Sequence, residues 1–319
     1  MTRTSFGGGR VPADPPGPVD GDPLAHAVVL CGPTASGKSA LAVALARRLD
    51  AEIIGADSQQ VYRGLPVGTA QPSAEERSAV PHQLIGFVDP PEEMTAARWA
   101  ELARDAAARI RARGRRVLVV GGTGLYLRAA FEGLFEGPPR DAVLRERLER
   151  EAEERGRGAL HARLAAVDPV AAARLSPNDL VRVVRALEVY ELTGRPLSEH
   201  FERQPPRPVP AQFLGLSPPR EELRERILAR TRRLYAEGLL DEASWLLARG
   251  LERWAPARAL GYRDAIARLR GEISLDEAVA RTARETRRYA KRQVTWFRAV
   301  PGIRWLSWPP SVEEALGRG

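Results

Sequence analysis

The eight residues Gly32-Pro33-Thr34-Ala35-Ser36-Gly37-Lys38-Ser39 constrain this chain more than any other segment. They have the form Gly, four residues, Gly-Lys-Ser, which wraps phosphate oxygens when a strand leads in and a helix leads out. Both conditions are met. Residues 25–32, Ala-His-Ala-Val-Val-Leu-Cys-Gly, form an apolar run closing on glycine, and Leu41, Ala44, Leu45 and Leu49 recur at helical spacing over 38–49. The glycines let backbone amides turn inward, Lys38 adds a cation, Ser39 can ligate magnesium, and the helix N-terminus favours an anion. The loop therefore holds a diphosphate or triphosphate, and by itself says nothing about what becomes of it.

Two further apolar runs repeat the theme. Ile53-Ile54-Gly55-Ala56 ends on Asp57, and after a helical stretch over about 95–113 the run Val117-Leu118-Val119-Val120 ends on Gly121-Gly122-Thr123-Gly124. Apolar strands separated by helices predict a parallel sheet covered on both faces. Ligands of such sheets bind off the carboxyl ends of the strands, so Gly32 onward, Asp57 and Gly121 to Thr123 are expected to share one cleft.

The expected class is α/β: a P-loop parallel-sheet core flanked by helices, with an all-helical insertion domain. The first 24 residues, rich in Gly, Pro and Asp, read as a disordered tail. Residues 25–137 and 211–310 form the catalytic core, and 138–203 the helical insertion, in which Asn178 or Asp179 caps a helix running to Thr193 with Gly194 as its stop. Residues 204–210 read as a proline-rich linker leading to a strand over 213–216, and 303–308 as a last edge strand.

Composition excludes several classes. No apolar run reaches the roughly 18–20 residues that span a bilayer, and a single cysteine, Cys31, rules out a disulfide framework or a thiolate-rich zinc site, which fits the cytoplasm. Cys31 itself reads as a small core residue. The net charge of +8 fits a polyanionic partner. Of 49 Lys and Arg residues all but Lys38 and Lys291 are arginine. A lysine that persists against such a bias points to a need for a compact ammonium. Between 281 and 298, Arg281, Arg284, Arg287, Arg288, Lys291, Arg292 and Arg298 face one acid, Glu285, with Tyr289, Trp296 and Phe297 interleaved, a pattern suited to nucleic acid.

The strand over 117–120 ends without the acidic metal ligand usual in a phosphate-cleaving ATPase. Asp57 remains open as a cap, a metal ligand or a base. Arg182 and Arg185 share a helix face that serves either RNA or surface ion pairing.

Asp57-Ser58-Gln59-Gln60-Val61-Tyr62, Val67-Gly68-Thr69-Ala70, Pro81-His82-Gln83-Leu84 and Gly121-Gly122-Thr123-Gly124-Leu125-Tyr126 resemble, in order, the signatures of the bacterial-type tRNA dimethylallyltransferase family. Arg230 with Gly238, Gly261-Tyr262-Arg263 and Lys291-Arg292-Gln293-Val294-Thr295-Trp296-Phe297-Arg298 continue the likeness. The resemblance implies transfer of a dimethylallyl group from dimethylallyl diphosphate to the exocyclic amine of the adenosine 3′-adjacent to the anticodon, with release of diphosphate. It implies Asp57 as general base, and Thr123, Lys38 and Arg230 as catalytic groups on the leaving diphosphate, with magnesium at Ser39. His82 stays a structural histidine.

The same resemblance assigns contacts with the tRNA anticodon stem-loop to Asp57, Ser58, Gln59, Gln60 and Thr123, and to Val181, Arg182, Val183, Val184 and Arg185 on the inserted helix. It adds Arg258, Gly261, Tyr262 and Arg263, then Lys291, Arg292, Gln293, Trp296 and Arg298. A monomer without membrane attachment is expected. The competing readings are an adenylate isopentenyltransferase acting on free AMP or ADP, a P-loop small-molecule kinase, and a non-catalytic RNA-binding P-loop protein.

Overall fold

The computed structural model describes residues 21–135, 137–204 and 208–317. In it the apolar run before the phosphate loop is strand β1 (Ala27–Cys31), buried at every position. It lies inside a six-stranded sheet in which every pairing is parallel. The other strands are β2 (Ala51–Ala56), β3 (His82–Gln83), β4 (Arg116–Gly121), β5 (Ala211–Gly215) and β6 (Arg304–Trp305), in the order β3-β2-β4-β1-β5-β6.

Helices cover both faces, which is why the inner strands need no polar side. Helix α1 (Lys38–Leu49) lays Leu41, Ala42, Leu45 and Ala46 on the sheet, where they join Val28, Leu30, Leu118 and Leu214 in one core. Full burial of a side chain such as Leu45 stabilises by roughly 1.5–3 kcal/mol. The start of α1 is Gly37 in the left-handed region, with no side chain capping the first turn, so its amides stay directed into the loop. Beyond the capped helix α2 (Ala74–Ala79), α3 (Ala96–Ala112) places Trp99 so that its indole donates to the Gly55 carbonyl at 3.1 Å. The Trp99 ring stacks on Tyr126 of α4 (Gly124–Phe131), with centroids 4.7 Å apart.

The chain divides into two compact units, Met1–Glu132 with Pro208–Gly319, and Gly133–Arg207. The second holds α5 (Ala142–Arg155), α6 (Arg157–Val167), α7 (Pro169–Arg174), α8 (Leu180–Thr193) and α9 (Leu197–Arg203). Its core joins Leu144, Leu148, Leu160, Leu164, Val183, Val184 and Leu187. The first unit resumes after β5 with α10 (Arg220–Glu237), α11 (Leu239–Ala248), a 3-10 turn (Ala255–Arg258), α12 (Tyr262–Leu269), α13 (Leu275–Arg298) and α14 (Val312–Ala315).

Helix α8 begins after Asp179 and ends at Gly194 in the left-handed region, as the capping pattern predicts, but Asp179 turns its carboxylate to Arg182 at 3.4 Å instead of to the helix amides. The edge strand is shorter than expected, because beyond Leu306 the Ser307 amide bonds the Glu314 side chain and leaves the ladder. Strand β3 was not foreseen; two residues carry no periodicity. Residues 1–20 of the expected tail and 205–207 of the expected linker lie outside the described residues. At its end the expected tail is packed: Leu24 is fully buried, and Asp22 pairs with Arg104 at 2.7 Å.

Register decides where the site forms. Cys31 and Ala56 both pair with Gly121, and Cys31 pairs on its other side with Gly215. The strands carrying Gly32, Asp57 and Gly122 therefore end in one row.

In the insertion, Glu188 is fully buried and accepts Nε and Nη2 of Arg145, each at 2.8 Å, Arg185 at 2.6 Å and the Asp141 amide at 2.9 Å. Burial pushes its carboxyl up, but these donors outweigh it and bring the pKa down to about 2. The depressed value means that this stabilisation is complete above the ordinary value of 4.5 and is lost as pH falls toward 2. Glu188→Gln is expected to destabilise the insertion by roughly 3–5 kcal/mol near neutral pH. Melting curves followed down through this window should then lose their acid limb; an unchanged limb would place the acid sensitivity elsewhere.

Candidate active site at the carboxyl ends of the strands

Within the phosphate loop the Lys38 ammonium donates to the carbonyls of Gly32 at 2.9 Å and Pro33 at 2.6 Å. Ala35 and Gly37 take positive φ (62° and 80°), the conformation that turns successive amides to one side. The Ala35 carbonyl is held at 2.9 Å by Arg226 of α10, whose guanidinium also lies over the Trp308 ring at 5.4 Å. Arg226 was not singled out in the sequence; its signal is a spacing of four from Arg230, one turn along the same face. Burial lowers the Lys38 pKa to about 8, against the pull of Asp57 and with a push from Arg230. Burial also lowers Arg230, and Asp57 opposes it. Lys38, Arg230 and Asp57 thus act on one another across a single site, while Ser39 stands exposed in the first turn of α1.

At the end of β2, one Asp57 oxygen accepts the Gln59 amide at 2.8 Å and, more weakly, the Gln60 amide at 3.4 Å. This Asx turn fixes the carboxylate and leaves its other oxygen outside those bonds. The cap and base readings of Asp57 are therefore compatible. Thr123, after β4, accepts the Ser58 amide on its hydroxyl at 2.9 Å, so the two strand ends are tied directly.

The sequence Gly121-Gly122-Thr123-Gly124 follows from crowding. A Cβ at Gly121 would lie 2.0 Å from the Ala56 carbonyl oxygen, one at Gly122 2.3 Å from Gln293 Nε2, and one at Gly124 2.4 Å from the Trp296 ring. The last two neighbours belong to α13, which lies directly on this loop. Gln293 is buried and accepts the Thr34 amide at 2.9 Å while donating to the Gly122 carbonyl at 2.9 Å. Tyr289, one turn earlier, is pushed up to about 12 by burial and then by the Asp57 charge, with hydrogen bonding to Thr123 and Gln293 opposing. Sequence reasoning counted it only as an interleaved aromatic. The far side of α13 is basic. Lys291, Arg292 and Arg298 are exposed, and together with Arg284 and Arg287 they make no ion pair among the described residues, whereas Arg281 and Arg288 pair with Glu277 and Glu285.

A buried carboxylate supports the Asp57 segment from behind, and no sequence signal marked it. Glu242, in the first turn of α11, accepts the Val67 amide at 2.6 Å, the Gly68 amide at 2.8 Å and the Tyr262 hydroxyl at 2.6 Å. The helix N-terminus favours this charge. The loop it grips then holds Gln60, whose amide nitrogen donates to Ala70 at 2.7 Å, while Gln71 donates to the Gln60 carbonyl at 3.1 Å. Tyr262 is accordingly buried, as is Gly261, while Arg258 and Arg263 are exposed.

In the insertion, Val181 and Arg182 point to solvent, Val183 and Val184 lie in the core, and Arg185 is bound to Glu188 and to the Pro138 carbonyl at 3.0 Å. His82 bonds the Val80 carbonyl at 2.8 Å and sits in β3, a structural role. Cys31 is fully buried and its thiol is pushed up to about 12 by that burial.

Affinity for inorganic diphosphate, measured by calorimetry, is expected to fall as pH rises through about 8, where the Lys38 ammonium deprotonates. Lys38→Met should remove this limb. A flat profile in the wild type would separate Lys38 from anion binding.

Three kinds of likeness to known proteins meet on this geometry. The IPP transferase family matches residues 60–300, and the isopentenyl transferase family residues 25–82. The chain is 56% identical to the tRNA dimethylallyltransferase of Anaeromyxobacter dehalogenans (strain 2CP-1 / ATCC BAA-258), over 91% of this chain and 95% of that one. It is 51% identical to that of Myxococcus xanthus (strain DK1622), over 91% and 94%. Among solved structures it is similar to the tRNA isopentenylpyrophosphate transferase of Bacillus halodurans, with TM-score 0.67 and 39% identity over 92% of this chain and 94% of that one. It is also similar to a eukaryotic dimethylallyltransferase acting on tRNA, with TM-score 0.74 and 28% identity over 88% and 73%. With the phosphate loop, Asp57 and Thr123 in one row beneath a basic helix, and with likeness along nearly its whole length, the chain belongs to the tRNA dimethylallyltransferase (IPP transferase) family.

Proposed function

We propose that the chain transfers a dimethylallyl group from dimethylallyl diphosphate to the exocyclic amine of the adenosine 3′-adjacent to the anticodon in tRNA, releasing diphosphate. The observation that carries this reading is the row formed by Gly32, Asp57 and Thr123, with Lys38 and Arg230 close enough to Asp57 to feel its charge and the basic helix α13 lying on the Thr123 loop. A donor diphosphate in the loop has its allylic carbon directed toward the groups that follow β2 and β4.

An adenine amine is a poor nucleophile, because its lone pair is delocalised into the ring, so most of the catalysis must act on the leaving group. The allylic carbon–oxygen bond breaks as the carbon–nitrogen bond forms. Lys38, the loop amides and Arg230 stabilise the charge that gathers on the departing diphosphate. The proton leaves the amine for the Asp57 carboxylate, and Thr123, fixed on the Ser58 amide, orients the base beside it. The loop holds phosphate as a leaving group and donates none. In keeping with this, β4 ends in glycines, where a nucleotide hydrolase carries an acidic ligand.

Magnesium fits the donor set. Among the described residues no group of three or more His, Cys, Asp or Glu is placed to hold a metal by itself, and Ser39 offers an exposed hydroxyl beside the loop. That suits an ion that keeps several waters and is carried by the substrate's own phosphate oxygens. Bound there, it would add positive charge on the leaving diphosphate.

The acceptor base must turn out of the anticodon loop, at a few kcal/mol that backbone contacts offset. Exposed Arg182, Arg258, Arg263, Lys291, Arg292 and Arg298 are suited to those contacts. No helix of the described residues is long and apolar enough to cross a membrane. A monomer working in the cytoplasm, where tRNA is found, completes the reading.

Purified protein given labelled dimethylallyl diphosphate and unmodified tRNA should yield prenylated adenosine and diphosphate; ATP turnover, or prenylation of AMP alone, would reject the reaction. Asp57→Ala is expected to slow transfer by about 10²–10⁴-fold with tRNA binding retained. Near-normal turnover would remove its role as base. Arg182→Ala should weaken tRNA binding and reduce its salt dependence by about one counterion, whereas Arg185→Ala should act first on melting temperature, since its guanidinium is bound to Glu188.

A further inference from the structure

We propose that Gln293 is a positioning residue that sets the gap between the diphosphate-holding loop and the Thr123 loop, and not a contact to RNA; the inference deepens the prenyl-transfer reading and rests on it. Both ends of its carboxamide are engaged inside the protein. The oxygen accepts the Thr34 amide of the phosphate loop and the nitrogen donates to the carbonyl of Gly122, each at 2.9 Å, from a side chain that is 6% exposed. One planar group thus joins the segment that holds the leaving diphosphate to the segment that holds Thr123, and through it Ser58 and Asp57.

The chemistry allows little substitution. The site needs an acceptor for an amide and a donor for a carbonyl at one fixed separation, and among side chains of this length only the carboxamide supplies both. A glutamate would present oxygen to the Gly122 carbonyl, and an asparagine is one methylene short. Gly122 is the matching half of the device. Any Cβ there would lie 2.3 Å from Gln293 Nε2 and 3.1 Å from the Gly32 carbonyl oxygen, which would force the two loops apart.

The position of Gln293 on α13 gives the link a second consequence. Tyr289 and Trp296 lie on the same inner face, Trp296 against Gly124, while Lys291 and Arg292 point outward. A rigid helix whose outer face meets the polyanion therefore carries on its inner face the bonds that align donor and base. RNA seated on the outer face of α13 would bear on the gap between the loops through the helix, in addition to the adenine that enters the gap. The reacting carbon and nitrogen must approach to near contact, and a misplacement of about 1 Å can cost on the order of 10²-fold in rate.

The test uses the full chain with Gln293→Glu and Gln293→Met, and Gly122→Ala, which displaces the carboxamide while leaving it present. Four quantities are measured: melting temperature, affinity for inorganic diphosphate with magnesium, tRNA affinity as a function of salt, and single-turnover prenyl transfer at saturating substrates. A positioning role predicts transfer slowed by about 10–100-fold and weakened diphosphate binding. Affinity for tRNA should stay within about twofold of wild type, with the same salt slope. Gly122→Ala should reproduce the pattern. If tRNA affinity falls while diphosphate affinity and single-turnover rate hold, Gln293 is an RNA contact and the proposal is wrong, whether or not the salt slope changes, since a neutral carboxamide releases no counterion. It is equally wrong if no quantity moves beyond what the change in melting temperature accounts for. A wild-type protein that binds diphosphate and makes no prenylated adenosine would remove the proposed reaction, and the diphosphate arm would still decide the role of Gln293.

Discussion

Everything at the reaction centre depends on the register of the parallel sheet. With Cys31, Ala56 and Gly121 side by side, three chains leave the sheet at the same level within the width of three strands, and each must turn in a different direction. Gly121 answers to the neighbouring strand end at Ala56, Gly122 and Gly124 to α13 lying on the loop, and Thr123 is left to bond Ser58 across the row. A shift of one residue would turn every strand side chain to the opposite face and separate the loop from its base. The site is thus a property of the sheet before it is a property of any side chain.

A surplus of arginine says little until each guanidinium is traced to what it bonds. Arg145 and Arg185 hold a buried carboxylate, Arg113 holds Glu52 with two bonds at 3.0 and 2.8 Å, and Arg226 holds a loop carbonyl. These belong to the architecture. The outer side of α13 is different, because Arg284, Arg287, Lys291, Arg292 and Arg298 meet no carboxylate among the described residues and stay available to a polyanion, while Arg281 and Arg288 are paired on their own helix. The same division runs within a single turn of α8, where Arg182 is exposed and Arg185 is bound inward.

Much of the fold was legible because the strands around the site are long, apolar and bounded by glycine or aspartate. The phosphate loop, the ends of β2 and β4, and the stop of α8 could all be placed from local pattern. Other parts could not. His82-Gln83 is too short to show a period, and Ser307 leaves the last strand for a side chain seven residues on. In the candidate site the residues that act from within loops could be read. Those that act from behind could not: Glu242 was not marked at all and Gln293 was expected to face RNA, since both owe their positions to contacts more than 150 residues away in sequence, at separations of 175 and 259. Local spacing carries no trace of such partners. It also could not separate the inward from the outward members of a motif, as Val183 and Val184 show beside Val181.

The hold of Gly32 and Pro33 on Lys38 explains why a lysine survives at this position in a chain whose other cations, Lys291 apart, are arginine. A tetrahedral head with three protons gives two to the carbonyls of its own loop and holds the third near the Ser36 hydroxyl at 3.5 Å, a weak contact that an arriving oxygen can replace. A flat guanidinium could not fold back so tightly without unwinding the turn. The long stem has already surrendered its rotational freedom when the protein folds, so capture of an anion takes little further ordering. The clasp is built closed around its own charge, and a guest has only to complete it.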